Sequence, residues 1–348
     1  MGGGTTRRLV AGGVLLACLV ALPGQAEAEP APPTISIAPS SAGEGQPVVF
    51  TITRDGTDED LTVPTVVTVA TSDAGSAVAG EDYTATSEPI TFAAGEKTKT
   101  FSVPTTDDDI YEDDETFAAT VTVTANGTPT STSATGTINN GDPQPSVSIE
   151  GSPSPTEGAE ATFTVTITGK SENAVAVNYA TEGISATAGA GFDFTPGSGQ
   201  LTWSSGDTTP RTITVATIDD AIDEDNETFR VNLSGYSSIS TNSATGTIVD
   251  GDDPPRVVEV RDVEVTEDNT TANILVRLSG PSGKEITIDF GPGEGSTANA
   301  DDHIPPSGRL TIAKGATEGS IPVTIKEDTL FESDETVFVS LYGHINVQ

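Results

Sequence analysis

The chain has 348 residues, a length that suits two or three domains of ordinary size. Its 15 Lys and Arg face 52 Asp and Glu, a net charge of −37, which argues against nucleic acid and anionic membrane surfaces as partners because both need basic patches. Apolar residues alternate through most of the length, which argues against disorder, and Cys18 as the one cysteine rules out a disulfide framework.

The first stretch, residues 1–28, reads as a signal peptide. Arg7 and Arg8 form its charged region, Leu9 to Leu22 its apolar one, and Ala26-Glu27-Ala28 its cleavage site. The apolar run is short for a membrane span, and no later segment is apolar enough to make one. The expectation is a protein secreted or held at the cell surface, with no transmembrane segment after cleavage. Cleavage removes Cys18, so no thiol remains to brace small extracellular domains, and bound metal becomes the natural brace.

From Thr34 onward the chain consists of short alternating runs rich in Thr, Val, Ile and Phe, punctuated by Gly, Pro, Asp and Ser. In the first copy the predicted strands are Thr34–Ala38 (A), Val48–Arg54 (B), Thr65–Thr71 (C), Ile90–Ala93 (D), Thr98–Thr105 (E), Thr116–Thr124 (F) and Ser133–Ile138 (G). Seven short strands in one unit of this size, with no helical periodicity, predict an antiparallel β-sandwich. The pattern then repeats. "DDDIYEDDETF" from Asp107 returns as "DDAIDEDNETF" from Asp219 and "EDTLFESDETV" from Glu327. "AGEGQPVVFTI" from Ala42 matches "PTEGAEATFTV" from Pro155 and, loosely, "VTEDNTTANIL" from Val265. "GEDYTA" from Gly80 matches "GFDFTP" from Gly191 and "ADDHIP" from Ala300. "ATGTINNGD" from Ala134 matches "ATGTIVDGD" from Ala244, and the third copy has no such ending. The expected organisation is repeat 1 over 29–142, repeat 2 over 143–253 and repeat 3 over 254–348, the last lacking strand G.

Strand parity gathers the acids. Each antiparallel strand reverses its predecessor, so the A–B, C–D and E–F connections and the end of G share one pole. Glu44, Asp82, Asp107, Asp108, Glu112 and Asp142 all fall there, while the F–G loop at the other pole, "ANGTPTSTS", holds no acid. Carboxylates drawn together from remote stretches call for a counter-ion. Calcium suits them, taking six to eight oxygens at about 2.3–2.6 Å in irregular geometry, whereas magnesium is stricter. Zinc does not suit a mature chain with no Cys and only His303 and His344. The spacing is not that of an EF-hand, whose central Gly is missing from "DDAIDEDNE".

The stretch "AGEDYTATSEPITFAAGEKTKTFSVPTTDDDIYEDDETF" resembles a Calx-β repeat, the module of sodium/calcium exchangers and of an integrin β subunit, and the resemblance spans Thr34 to Gln348 in three in-register copies. It implies an all-β chain of tandem seven-stranded antiparallel immunoglobulin-like β-sandwiches, the last copy incomplete, with Ca2+ held at the loop pole. The implied first-repeat ligands are Glu44, Asp82, Asp107, Asp108, Glu112, Asp142 and the Ile110 carbonyl. In the second repeat they are Glu157, Asp193, Asp219, Asp220, Glu224, Asp250, Asp252 and the Ile222 carbonyl. In the third they are Glu267, Asp302, Glu327, Asp328 and Glu332. Glu115, Glu227 and Glu335, which open strand F, either bond the loop backbone or add a ligand. Asn140 and Gly141 stand where calcium-binding members carry further acids, and His303 replaces the aromatic seen as Tyr83 and Phe194.

Phe117, Phe229 and Trp203 read as core. No Ser–His–acid order recurs, so an enzyme is not expected. Strand G leads straight into the next strand A through "NNGDPQPSVSI" and "VDGDDPPRVVEV", which puts each ion at a domain joint that binding would stiffen. Four uses remain open at this level: a structural or adhesive spacer, a calcium-responsive module docking a protein or cell-surface ligand, an accessory region of an exported enzyme, and a repeat array whose solvated acidic loops bind no calcium.

Overall fold

The structure, a computed structural model, describes residues 1–3, 31–329 and 332–348. The signal sequence expected over 1–28 lies, beyond its first three residues, outside the described residues. Two compact units emerge: Met1–Asp107 with Asp114–Asn139, and Asp108–Asp113 with Asn140–Gln348.

In the first repeat the strands are β1 (Thr34–Ile37), β2 (Ser40–Gly43), β3 (Val48–Asp55), β4 (Thr65–Ser72), β5 (Ser87–Phe92), β6 (Thr98–Val103), β7 (Ile110–Tyr111), β8 (Glu115–Ala125), β9 (Thr128–Pro129) and β10 (Ser133–Asn139). β7 belongs to the second unit. The expected strands A to G are β1, β3, β4, β5, β6, β8 and β10. β-Branched and aromatic residues at every second position turn one row of side chains inward, as in β3, where buried and outward positions alternate from Val48. One sheet runs β6-β3-β1-β9, the other β2-β10-β8-β4-β5. Ile35, Phe50, Val67, Phe101 and Phe117 are fully buried in the core they share. β2 was not legible in the sequence, which predicts only a loop there. Pro39 has no N–H to donate, so pairing with β3 stops and the chain crosses to lie parallel to β10.

The second repeat holds β11 (Ser146–Glu150), β12 (Glu160–Thr168), β13 (Lys170–Ser171), β14 (Val175–Gly183), β15 (Ser198–Trp203), β16 (Arg211–Ala216), β17 (Glu227–Ser234), β18 (Ile239–Thr241) and β19 (Ser243–Ile248). Its sheets run β16-β12-β11-β18 and β15-β14-β17-β19. The third holds β20 (Val257–Arg261), β21 (Thr271–Leu278), β22 (Ile286–Pro292), β23 (Gly308–Ile312), β24 (Glu318–Thr324) and β25 (Val339–Ile345), in sheets β20-β21-β24 and β23-β22-β25. Each repeat has its own core. The third shows six strands among the described residues, with no partner strand in the place that β10 and β19 take beside β8 and β17.

Two recurrent motifs now have packing reasons. The aromatic of the Asp-aromatic pair lies on the phenyl ring of the strand-F equivalent: Tyr83 stacks on Phe117 at 4.4 Å and Phe194 on Phe229 at 4.9 Å. His303 takes the same buried place in the third repeat, bridging to Ile325 as Tyr83 does to Thr105 and Phe194 to Thr217. The Gly of "ATGTI" faces these rings. A Cβ at Gly246 would stand 2.8 Å from Phe229 Cζ and 3.2 Å from Phe163 Cζ, and one at Gly136 would meet Phe117 Cζ at 2.6 Å. Overfilling a packed core costs about 1–3 kcal/mol. Gly246→Ala is therefore expected to lower the unfolding free energy of the second repeat by that amount, read as a lower midpoint in a urea melt. An unchanged midpoint would mean the ring has room to move.

Candidate metal centre

Loop hydrogen bonds bring the acids of the second repeat to one pole. Glu157 follows a parallel bridge between Thr156 and Val249, and its N–H donates to the Val249 carbonyl. Ile218 N–H donates to the Asp193 carbonyl and Thr217 N–H to that of Ala159, so the connections preceding β12, β15 and β17 are stitched side by side. The first unit repeats this stitching: Gly45 N–H donates to Thr106 O, and Thr106 N–H to Asp82 O. In the third, Lys326 N–H donates to Asp302 O.

The recurrent Glu-Gly turn has a steric cause. Gly45 and Gly158 adopt φ of +69° and +77°, and a Cβ on either would lie 2.9 Å from the Cβ of Asp107 or Asp219. The glycine lets the acidic loop close over the turn. Asp268 stands there in the third repeat.

The second-repeat pole is the most developed. Carboxylate oxygens of Glu157, Asp220 and Asp252 lie within 4.8 Å of one another, and those of Asp193, Glu224 and Glu227 form a second such set. Five of these six acids are half-buried, Asp220 being exposed. Glu157, Asp193, Asp220, Glu224 and Glu227 border one depression together with Asp250. Local bonds aim them: Asp220 Oδ1 accepts from Ile222 N–H at 2.8 Å, Glu157 Oε1 from Gly251 N–H at 2.8 Å, and Asp193 Oδ2 from Thr187 N–H. Asp219, beside Gly158, is exposed and joins neither set.

Crowding raises the proton affinity of these groups. Burial, a hydrogen bond with Asp193 and the charges of Asp193, Glu224 and Asp225 push the Glu227 carboxyl up to about 8. Glu157 and Glu224 lie above the ordinary carboxylate range for the same two reasons, desolvation first and neighbouring acids after it, with the Gly251 N–H partly opposing in Glu157. Asp252 is raised by desolvation and then by Asp250, Asp219, Asp220 and Asp223. The donor set fits a hard cation: it is all oxygen, two clusters deep, and contains one enclosed carboxylate oxygen, Asp252 Oδ2, that accepts no hydrogen bond.

In the first repeat Glu44, Asp82 and Asp107 lie in connections joined by the bonds above, and Asp82 Oδ2 accepts from Val78 N–H. Asp108, Ile110, Glu112 and Asp142 belong to the second unit. There Asp108 Oδ1 accepts from Ile110 N–H at 2.7 Å, matching Asp220 and Ile222, and Asn140 Oδ1 accepts from the Glu112 and Asp142 amides. In the third repeat Glu267, Glu327, Asp328 and Glu332 are exposed and Asp302 half-buried. Among the described residues no three of its carboxylates come within 4.8 Å. Desolvation and the Asp302 and Asp328 charges still raise Glu332, and desolvation and a hydrogen bond with Asp302 raise Glu335.

Sequence reasoning left Glu227 between backbone partner and ligand. Its side chain faces Asp193 and Glu224. It did not find Asn226, whose Oδ1 accepts from Asp250 N–H, nor Asp223, a buried acid partnered by Lys284 of the next repeat. Nothing in a one-dimensional pattern marks a lysine 61 positions away as a partner.

A sequence model of the Calx-beta domain matches residues 40–144, 142–253 and 250–346. The chain belongs to the Calx-beta family. Among solved structures, CBD12 from CALX1.2 is 17% identical over 62% of this chain and 99% of its own length, at a TM-score of 0.29. The apo-form Calx CBD1 domain is 20% identical over 32% of this chain and 100% of its own, at 0.30. The calcium binding domain CBD12 of CALX1.1 is 17% identical over 61% and 99%, at 0.29. At those scores the family assignment rests on the threefold Calx-beta match alone.

The raised carboxyls set a pH dependence for the ion-free chain. Glu227 has a folded value near 8 against an ordinary 4.5, so folding favours its protonated form. Its contribution is complete below about 4.5 and is lost as pH rises toward about 8. In a divalent chelator the melting temperature of the second repeat should fall across that window, and Glu227→Gln should flatten the fall. A wild-type melting temperature that rises there would show that the carboxyl is not held protonated.

Proposed function

We propose that this Calx-beta chain is a secreted or cell-surface calcium-binding repeat array, non-catalytic, that serves as a structural or adhesive spacer or as a docking module for another protein. The observation that carries the calcium reading is the double carboxylate cluster of the second repeat, Glu157, Asp220 and Asp252 beside Asp193, Glu224 and Glu227. Six acids from three connections, the first residue of β17 and the segment after β19 meet there, one of them with an enclosed oxygen that takes no hydrogen bond. Ca2+ would supply the positive charge that lets these groups ionise together. Asp250 and Asp252 of the interrepeat segment and the Ile222 loop would complete the ligand shell. Glu44, Asp82, Asp107, Asp108, Glu112 and Asp142 are the matching residues of the first repeat, and Glu267, Asp302, Glu327, Asp328 and Glu332 those of the third.

Asp250 and Asp252 lie in the segment that leads from β19 to β20, so ligation there ties metal binding to the joint, and Pro254 and Pro255 shorten the range of conformations the segment can adopt. Export rests on the sequence of residues 1–28 alone.

Calorimetry on the chelated chain tests this reading. Heat of calcium binding is expected at about 10⁻⁴–10⁻³ M, the range of extracellular modules. Asp193→Asn with Asp220→Asn should remove the second-repeat contribution and the accompanying rise in melting temperature. A chain that gives no heat and no thermal shift at millimolar calcium would sink the proposal.

A further inference from the structure

The loop that carries the second-repeat acids also grips the third repeat. Asp223 lies between Ile222 and Glu224, is 3% exposed, and pairs in parallel with Ser282 in the connection between β21 and β22. Gly283 N–H donates to the Asp223 carbonyl at 3.0 Å, and Ser282 Oγ to the same oxygen at 3.2 Å. Ser282 Oγ in turn accepts from Lys284 N–H at 3.0 Å. This turn aims the Lys284 side chain back into the acidic pole. Its Nζ donates to Asp223 Oδ1 at 2.7 Å and stands 3.6 Å from Asp250 Oδ2.

The same backbone device occurs one repeat earlier with different chemistry. Ile110–Tyr111 pairs in parallel with Lys170–Ser171, Glu172 N–H donates to the Tyr111 carbonyl, and Ser171 Oγ accepts from Asn173 N–H. Ser171 and Ser282 each also accept, through their carbonyls, from a glycine N–H, Gly206 and Gly315. Tyr111 stands where Asp223 does, and Asn173 where Lys284 does. Asn173 Nδ2 donates to Asp113 Oδ2 at 3.2 Å, a contact between a neutral amide and an exposed acid. Among the described residues, the charged pair is therefore added to this shared backbone arrangement at Asp223 and not at Tyr111.

We propose that Lys284 is a tethered cation that latches the third repeat onto the second-repeat pole through Asp223 and Asp250, and holds this joint whether or not the pole carries a metal ion. Lys284 is 20% exposed and Asp223 nearly enclosed, so salt screens the pair far less than a surface ion pair. Removing the lysine leaves a buried carboxylate uncompensated among Asp250 and Asp225, which breaks such a pair at high cost. Its closest partner, Asp223, belongs to neither carboxylate cluster, and only the longer 3.6 Å approach to Asp250 touches a residue of the proposed ligand shell, so the six clustered acids are left to an ion. The latch rests on the calcium reading only in lying beside that site.

Spin labels test it on the full chain with Cys18→Ser. Thr202→Cys on β15 and Thr311→Cys on β23, both exposed, place one label on each repeat. In excess EDTA the wild-type sequence should give one narrow interlabel distance that persists in high salt. Lys284→Asn, which copies the neutral joint, should lose the narrow distance, and the charge swap Asp223→Lys with Lys284→Asp should restore it. A broad wild-type distance in EDTA, a narrow one in Lys284→Asn, or a swap that fails to restore it overturns the latch. Calcium calorimetry on the same samples reports on the ion site separately, so failure of either reading leaves the other measurable.

Discussion

Mutual repulsion of carboxylates held at one end of a β-sandwich is the constraint on which the rest of this protein depends. Two unit charges 4 Å apart near a protein surface repel by about 4 kcal/mol. The second-repeat pole holds six acids in two sets closer than 4.8 Å, and it answers with raised proton affinity at Glu157, Glu224, Glu227 and Asp252. A fold that only needed solubility would spread those charges. Here backbone hydrogen bonds between the connections, and the close approach that Gly158 permits, press them together.

The sandwich supplies the rigidity for this. Phe163, Phe194 and Phe229 pack beneath the pole, so the Asp193 that precedes Phe194 and the Glu227 that opens β17 are both anchored through neighbouring core residues. Asp-aromatic and Glu-x-Phe are thus single structural units: the ring fixes the strand and the acid next to it is carried to the pole. The first repeat uses Tyr83 and Phe117 in the same way. The third, with His303 for the ring and Asp268 for the glycine, keeps its acids more exposed.

This pole offers two ways to compensate its charge. The Calx-beta match and the oxygen-only donor set support a divalent ion among the clustered acids. Lys284, a cation fixed to the chain of the next repeat, compensates Asp223 and Asp250 through ion pairs. The two share a loop, since Ile222 N–H orients Asp220 on one side while Asp223 grips Ser282 on the other. Occupancy of the pole and geometry of the joint are therefore adjacent properties of one short segment.

Strand identity, the threefold repeat and the meeting of remote acids at the second-repeat pole were legible in the sequence, because alternation of two residues per period and strand parity are local, countable rules. Thr34–Ala38 and Ser133–Ile138 came within one residue of β1 and β10. β2 was not legible, because a proline-led switch between sheets depends on which partner edge is free. The side chain of Glu227 and the pairing of Asp223 with Lys284 were decided by tertiary structure alone. Which atom a carboxylate faces is set by packing between strands and between repeats, and that packing leaves no periodic trace along the chain.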